Sequence, residues 1–394
     1  MATQASGFPR EGVVYMDNAA TSFPKAPGVA EAVAANLSTM AGSAGRAAHT
    51  FAAEALELVW SVRRELSALF HTAEPTRWAL MFNATDAINT ALKGFLRAGD
   101  HVIVSSLEHN AVARPLRYLQ RTLGINISFL PYVPGVGADP ADVPRLVRPN
   151  TRLLVCLHAS NVTGEILPIR ELAAAAHECD IPVLVDAAQT AGSIEIDADG
   201  WGIDMLAITG HKGLLGPAGT GALYVRPGLN VEALRHGGTG SFSEMDVQPE
   251  QWPDHLESGT MNMPGLAGLL VALKWLSGRG VTAIRQHELD IMGQLLDGFS
   301  ETAGVEIYGP RRAQDRVGLV SINVGAEDPA FVAEELERRA ILTRAGLHCA
   351  PWAHRCLGTL NRGTVRLSVG PFTTRDDVER VVKAVAEIAR TAIR

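Results

Sequence analysis

The chain has 394 residues, 47% of them hydrophobic and 20% charged, with a net charge of −7. That length can bury a large core and exceeds one ordinary domain, so a large domain with a smaller companion is the natural expectation. The composition argues against three classes: no long basic run offers a nucleic-acid surface, four cysteines make no disulfide scaffold, and the most apolar later stretch, 266–273, is too short to span a bilayer. The opening MATQASGFPREG lacks the apolar core of a secretory signal, and the cysteine usage fits a reducing cytoplasm.

Residues 1–14 read as a loose arm. A short apolar run follows in YMDNAATSFPK and ends in a turn-prone segment that begins at Asn18. Helices are expected at 27–40 and at 50–70, with apolar residues near helical spacing and a small-residue loop between them. A strand at 78–82 runs into Asn83, Ala84 and Thr85 and then a helix. Such a turn presents free N–H groups and a positive dipole end, so it suits a phosphate; Thr85 as a plain helix cap is the alternative. The strand 101–104 is followed by His109, either a site residue or a surface histidine opening the helix 110–123.

A strand at 125–130 and a Pro/Gly-rich loop lead to the apolar strand 152–157, where Cys156 reads as an inert core thiol. That strand exits into HASNVTGEILPI, in which the Asn161 amide can bind a ligand. After the helix 168–179, two apolar runs stop at polar residues. The run 181–185 ends on Asp186, and 205–208 ends on Thr209, Gly210, His211 and Lys212. Short apolar runs that stop this way read as buried parallel strands with a site at their carboxyl ends. A strand at 219–225 precedes the glycine-rich RHGGTGSFSE, a mobile rim rather than a nucleotide loop, because no G-x-G-x-x-G follows a strand. Two helices over 264–303, strands at 318–324, 341–343 and 364–369, and helices at 330–340 and 375–394 suggest a small α+β domain. The expected division is 15–263 for the large domain and 264–394, with the arm 1–14, for the small one.

An acid at one strand end and a lysine just past another is the layout a pyridoxal phosphate site needs. The amine tethers the cofactor aldehyde, and the carboxylate keeps a proton on the pyridine nitrogen so that the ring accepts electrons. A second constellation lies in TRAGLHCAPWAHRCLGT, with His348, Cys349, His354 and Cys356. Its H-C-x4-H-x-C spacing matches no common zinc pattern. A structural loop and a reactive thiol on a mobile loop remain as readings. Arg366, in TVRLSVG, suits a carboxylate by its bidentate fork, or is an edge-strand surface arginine.

The words VDAAQ and TGHKGLLGP resemble the fold-type I pyridoxal phosphate enzymes, within them the class V aminotransferase and cysteine desulfurase group. The resemblance runs from Tyr15 to the last helix. It implies an α/β fold with a large, mostly parallel seven-stranded sheet and a small C-terminal α+β domain. It implies cofactor contacts from Ala84, Thr85, His109, Asn161, Asp186, Gln189, Thr209, His211 and Lys212. Gln189 would bond the phenolic oxygen, and His109 would stack on the ring and pass protons. The word RAGLHCA is similar to that around the catalytic cysteine of cysteine desulfurases and selenocysteine lyases, which makes Cys349 the thiol. Arg366, Asn161 and the segment of Asn18 would face the substrate. LESGTMNMPG matches the family's E-x-G-T word, so Thr260 would cross a two-fold interface and the active form would be a homodimer. The implied activity is conversion of L-cysteine to L-alanine, with sulfur passed to Cys349 and on to an acceptor. Selenocysteine lyase, an aminotransferase, epimerase or C–S β-lyase, and a sulfur-trafficking protein of little turnover remain alternatives. The sequence departs from better-known members after Cys349, and Cys356 has no counterpart.

Overall fold

The apolar runs form strands because both of their faces are covered. The computed structural model describes residues 12–39, 42 and 49–392. Most of the arm 1–14, most of the loop before residue 49 and the last two residues lie outside the described residues. The first strand, β1, is Val14–Tyr15. The next seven, β2 Trp78–Met81, β3 His101–Ser105, β4 Asn126–Leu130, β5 Thr151–Leu157, β6 Val183–Asp186, β7 Met205–Thr209 and β8 Gly221–Val225, form one sheet in the order β2-β8-β7-β6-β5-β3-β4. The pairs from β7 to β4 are parallel, and β8 runs antiparallel to both of its neighbours. The expected mostly parallel seven-stranded sheet is therefore present.

Side chains alternate between two cores, as the two-residue period of a strand requires. Leu154, Cys156, Val183, Val185, Leu206 and Ile208 face one side. Leu153, Val155, Leu184, Met205 and Ala207 face the other, under the helices Ala84–Phe95 and Asn110–Leu123. Parallel strands buried on both faces read as continuous apolar runs, which is why the sequence displayed them.

The C-terminal part holds a four-stranded antiparallel sheet. Its strands are β9 Val305–Tyr308, β10 Leu319–Val324, β12 Arg344–Gly346 and β13 Thr364–Ser368, in the order β12-β13-β10-β9, while β11 Ile341–Leu342 pairs in parallel with β1. Helices Val281–Ser300, Pro329–Glu337 and Arg375–Ala392 supply the residues that cover it. Helix Met263–Arg279 buries Leu266, Leu269, Leu273 and Leu276 in the core of the large sheet. Val14 and Met16 lie in the core of the small sheet. We therefore draw the division near Gly280 rather than after residue 263, and count residues 14–16 with the small body.

Candidate active site

The carboxyl ends of β5, β6 and β7 open on a cavity of about 560 Å³. Asp186 and Lys212 both line it. Asp186 ends β6 opposite Leu157 of β5. One of its oxygens accepts the Ala188 N–H at 2.9 Å. Burial raises its pKa, against the backbone hydrogen bond and the Lys212 charge. Lys212 follows β7 by three residues. Burial brings its amine down to about 8, a shift that Asp186 opposes. About a tenth of that amine is then unprotonated at pH 7, far more than for an ordinary lysine. Gly213 fixes the turn: a Cβ there would stand 2.5 Å from the carbonyl oxygen of Ala191.

The wall beside β7 is the start of helix Ala84–Phe95. Asn83, not Thr85, is its cap: the Asn83 side-chain oxygen accepts from Asp86 N at 2.9 Å, and Asp86 in turn accepts from Phe82 N. The Ala84 and Thr85 N–H groups thus have no partner within the helix and lie on the cavity wall with the Thr85 side chain. Gly221 on β8 permits the approach, since a Cβ there would meet Asn83 Cα at 2.7 Å. Thr209 adds a buried hydroxyl without a partner.

His109 is both cap and site residue. Its Nδ1 accepts from Ala111 N at 3.0 Å while the residue lines the cavity. Burial first, then the charges of Lys212, Arg366 and Arg114, lower its pKa to about 4. The ring is therefore neutral, with its proton assigned to Nε2 by the cap bond. His211 is lowered to about 4 as well, by burial and by Lys212 and Lys25. Gln189 lines the cavity and donates to the Ala19 carbonyl at 3.1 Å.

The small domain closes the opposite side. Arg344 and Arg366 are register partners on β12 and β13, so both side chains project from one face. They share Asp17: Arg366 Nη2 reaches Oδ1 at 3.0 Å, and Arg344 grips Oδ2 through Nε at 3.0 Å and Nη2 at 2.9 Å. Arg366 Nη1 also donates to the Asn161 carbonyl at 3.1 Å, and its Nε is buried without a partner. Cys349 is exposed at the rim, on a turn where His348 and Cys349 both have positive φ, 48° and 57°. Two successive left-handed residues other than glycine are rare and strained. Two hydrogen bonds hold the turn: Asn110 N donates to the Cys349 carbonyl at 2.7 Å, and Asn161 Nδ2 to the His348 carbonyl at 2.6 Å.

Eleven of the expected residues therefore meet in one cavity: Ala84, Thr85, His109, Asn161, Asp186, Gln189, Thr209, His211, Lys212, Cys349 and Arg366. Two do not. Asn18 spends its amide on the backbone, donating to Ser368 O at 3.0 Å and accepting from Phe23 N at 3.2 Å. Thr260 lies in a separate hollow beside Phe82 and Arg235. The Asn161 nitrogen is committed to the Cys349 turn rather than free for a carboxylate. His348 points Nε2 at Thr364, and burial drives its pKa down to about 2, so it is a poor base for the thiol. Cys356 is half-buried, and its thiol donates to Ser106 O at 3.7 Å.

Sequence reasoning missed Asp17, Asn83, Arg344 and Glu108. Glu108 is fully buried; its Oε1 accepts from Ser105 Oγ at 2.6 Å and from Leu157 N at 2.7 Å, tying β3 to β5 beneath the cavity. Its place beside His109, at the end of an apolar strand, was the available signal.

A strand-end acid, a lysine lowered by burial and a bare helix N-terminus thus line one cavity of an α/β enzyme. The chain belongs to the aminotransferase class-V family, whose model matches residues 14–381. It is 32% identical over 384 residues to a probable cysteine desulfurase of Methanothermobacter thermautotrophicus, spanning 95% of this chain and 94% of that one. It is 30% identical to a cysteine desulfurase of Escherichia coli O157:H7, over 99% and 96% of the two chains. The structure of a cysteine desulfurase from Thermococcus onnurineus NA1 matches with a TM-score of 0.90 at 28% identity, over 96% and 95%.

The family generally depends on pyridoxal phosphate, and the residues present fit that group. The unpartnered Thr209 hydroxyl and the bare Ala84 and Thr85 N–H groups suit a phosphate. The Asp186 carboxyl suits a protonated ring nitrogen, and the Lys212 amine suits the aldehyde.

Proposed function

We propose that the protein is a pyridoxal phosphate-dependent cysteine desulfurase, converting L-cysteine to L-alanine and holding the sulfur on Cys349. The observation that carries the reading is one cavity lined by Lys212, Asp186, Arg366 and a rim thiol, Cys349. Pyridoxal phosphate, when bound, supplies an aldehyde for the Lys212 amine and an electron sink for the charge left on the substrate. Arg366 holds the substrate carboxylate through its unpartnered Nε edge and orients the molecule. Lys212 Nζ takes the α-proton and returns it. The Cys349 thiolate attacks the substrate sulfur; the S–S bond forms as the C–S bond breaks, and that electron pair remains on the carbon that becomes alanine's methyl group. Thiol plus cysteine thus gives persulfide plus alanine, with no outside oxidant. His109 stays neutral and, with the cofactor bound, would offer it a flat wall and a proton donor through Nε2.

The working form is a homodimer in which Thr260 serves the neighbour's phosphate, acting in the cytoplasm and passing sulfur to an acceptor. Among the described residues, no helix is long and apolar enough to cross a membrane. Incubation with cysteine under reductant tests the reading, with alanine and sulfide quantified and the Cys349 peptide weighed by mass spectrometry. Cys349→Ala should keep the cofactor absorbance and lose the persulfide; Lys212→Ala should lose the tethered chromophore. Alanine formed at an undiminished rate by Cys349→Ala removes the thiol from the mechanism, and pyruvate as the product points to a β-lyase.

A further inference from the structure

The segment 17–25 touches both halves of the active site. At one end Asp17 holds Arg344 and Arg366, and Ala19 N donates to Ser368 Oγ at 2.8 Å. In the middle the Ala19 carbonyl accepts from Gln189. At the other end four donors converge on one oxygen, the carbonyl of His211. They are Ser22 N at 2.9 Å, Thr21 Oγ1 and Ser22 Oγ at 3.1 Å each, and Lys25 Nζ at 2.8 Å. The Lys25 ammonium spends its other two donors on Ser22 Oγ at 3.1 Å and Thr21 Oγ1 at 3.3 Å. It has no carboxylate partner among the described residues; the titratable groups near this cluster are the neutral His211, Lys212 and the Glu288 carboxyl, which shares a hollow with Ser22 and Lys212 and is raised by burial to about 7. Burial alone lowers Lys25 to about 8.

We propose that Lys25 is a positioning residue for Lys212: by fixing the His211 carbonyl it sets the peptide plane from which the Lys212 side chain departs toward Asp186. A carbonyl offers two lone pairs, so four donors crowded on it leave that plane little freedom. A desolvated cation with no counter-ion adds cost rather than stability to the fold. What it supplies is geometry at the next residue, where a displacement of an ångström reaches the chemistry. This rests on Lys212 being the reacting amine.

The test reads Lys212 directly in the ligand-free protein. Competitive acetylation across pH, followed by mass spectrometry of the Lys212 peptide, gives its titration midpoint. Lys25→Met should move that midpoint up from near 8 toward the ordinary lysine value, while the melting temperature stays level or rises. Ser22→Ala should give a smaller shift in the same direction, and Lys25→Arg, which keeps the charge, should remain nearer the native midpoint. In the loaded enzyme, kcat for cysteine should fall about tenfold with KM little changed, since the Arg366 grip is intact. An unmoved Lys212 midpoint in Lys25→Met overturns the assignment. So does a midpoint that moves only together with a lowered melting temperature, which marks a merely structural lysine. The labelling arm needs neither cofactor nor cysteine, so it decides the matter even if the desulfurase reading fails.

Discussion

Glu108 illustrates how one buried group can set a pH limit. Burial, reinforced by nearby Asp186, raises its pKa to about 8 against the hydrogen bond from Ser105, so at neutral pH it is a protonated acid. The folded state binds its proton more tightly than the unfolded chain does. The stability this gives is complete below the unfolded value near 4.5 and is lost as pH climbs through about 8. Glu108→Gln keeps the acceptor for Leu157 N and Ser105 Oγ without the titration. In paired thermal melts from pH 5 to 9, wild type should lose ground to this variant up to about pH 8 and then hold a constant offset. Glu108→Ala leaves the Leu157 N–H buried and unpaired, a loss of about 1–3 kcal/mol at any of these pH values. The two substitutions therefore separate the charge of the side chain from its hydrogen bonds.

At the scale of elements, the close approach of β8 to the Asn83 turn is the joint on which the phosphate wall depends. Gly221→Ala puts a methyl group against Asn83 Cα and the Ile208 carbonyl, both at 2.7 Å. Backbone cannot give way as a side-chain tip does. The expected outcome is about 1–3 kcal/mol of lost stability and a larger loss of cofactor affinity, read by urea unfolding and by titration of the apo-protein with pyridoxal phosphate. Apart from the half-exposed edge strand β4, the strands of the large sheet were legible in the sequence because each is buried on both faces, and so were Asp186 and Lys212 at their ends. β9 and β12 were not. They are the two edges of the small sheet, with the sequences VEIY and RAG, and edge strands carry charge where central ones carry apolar runs. Missing β12 meant missing Arg344, whose meaning comes only from its pairing opposite Arg366. The identity of the helix cap was open in the sequence for a related reason. Thr85 and Asn83 are both good capping residues, and only the fold decides which one turns inward.

For the molecule as a whole, Thr260 makes a prediction of its own. It stands apart from its own chain's cavity, so its proposed role needs a second copy. Sedimentation equilibrium should give twice the chain mass. Mixing inactive Lys212→Ala and Thr260→Ala chains under conditions of subunit exchange should restore up to about half the native sites per mixed dimer if each site draws on both subunits. A single chain mass at micromolar concentration would rule out the shared site. The strand β1 has a consequence for how this protein is made. It pairs with β11, whose residues Ile341 and Leu342 leave the ribosome on the order of three hundred residues later, and at about 5–20 residues per second that is a wait of tens of seconds. Until then this strand must stay unmated while its neighbours in sequence mature. A strand made early therefore waits for a partner made late, and a nascent chain halted before residue 341 has no seat for it.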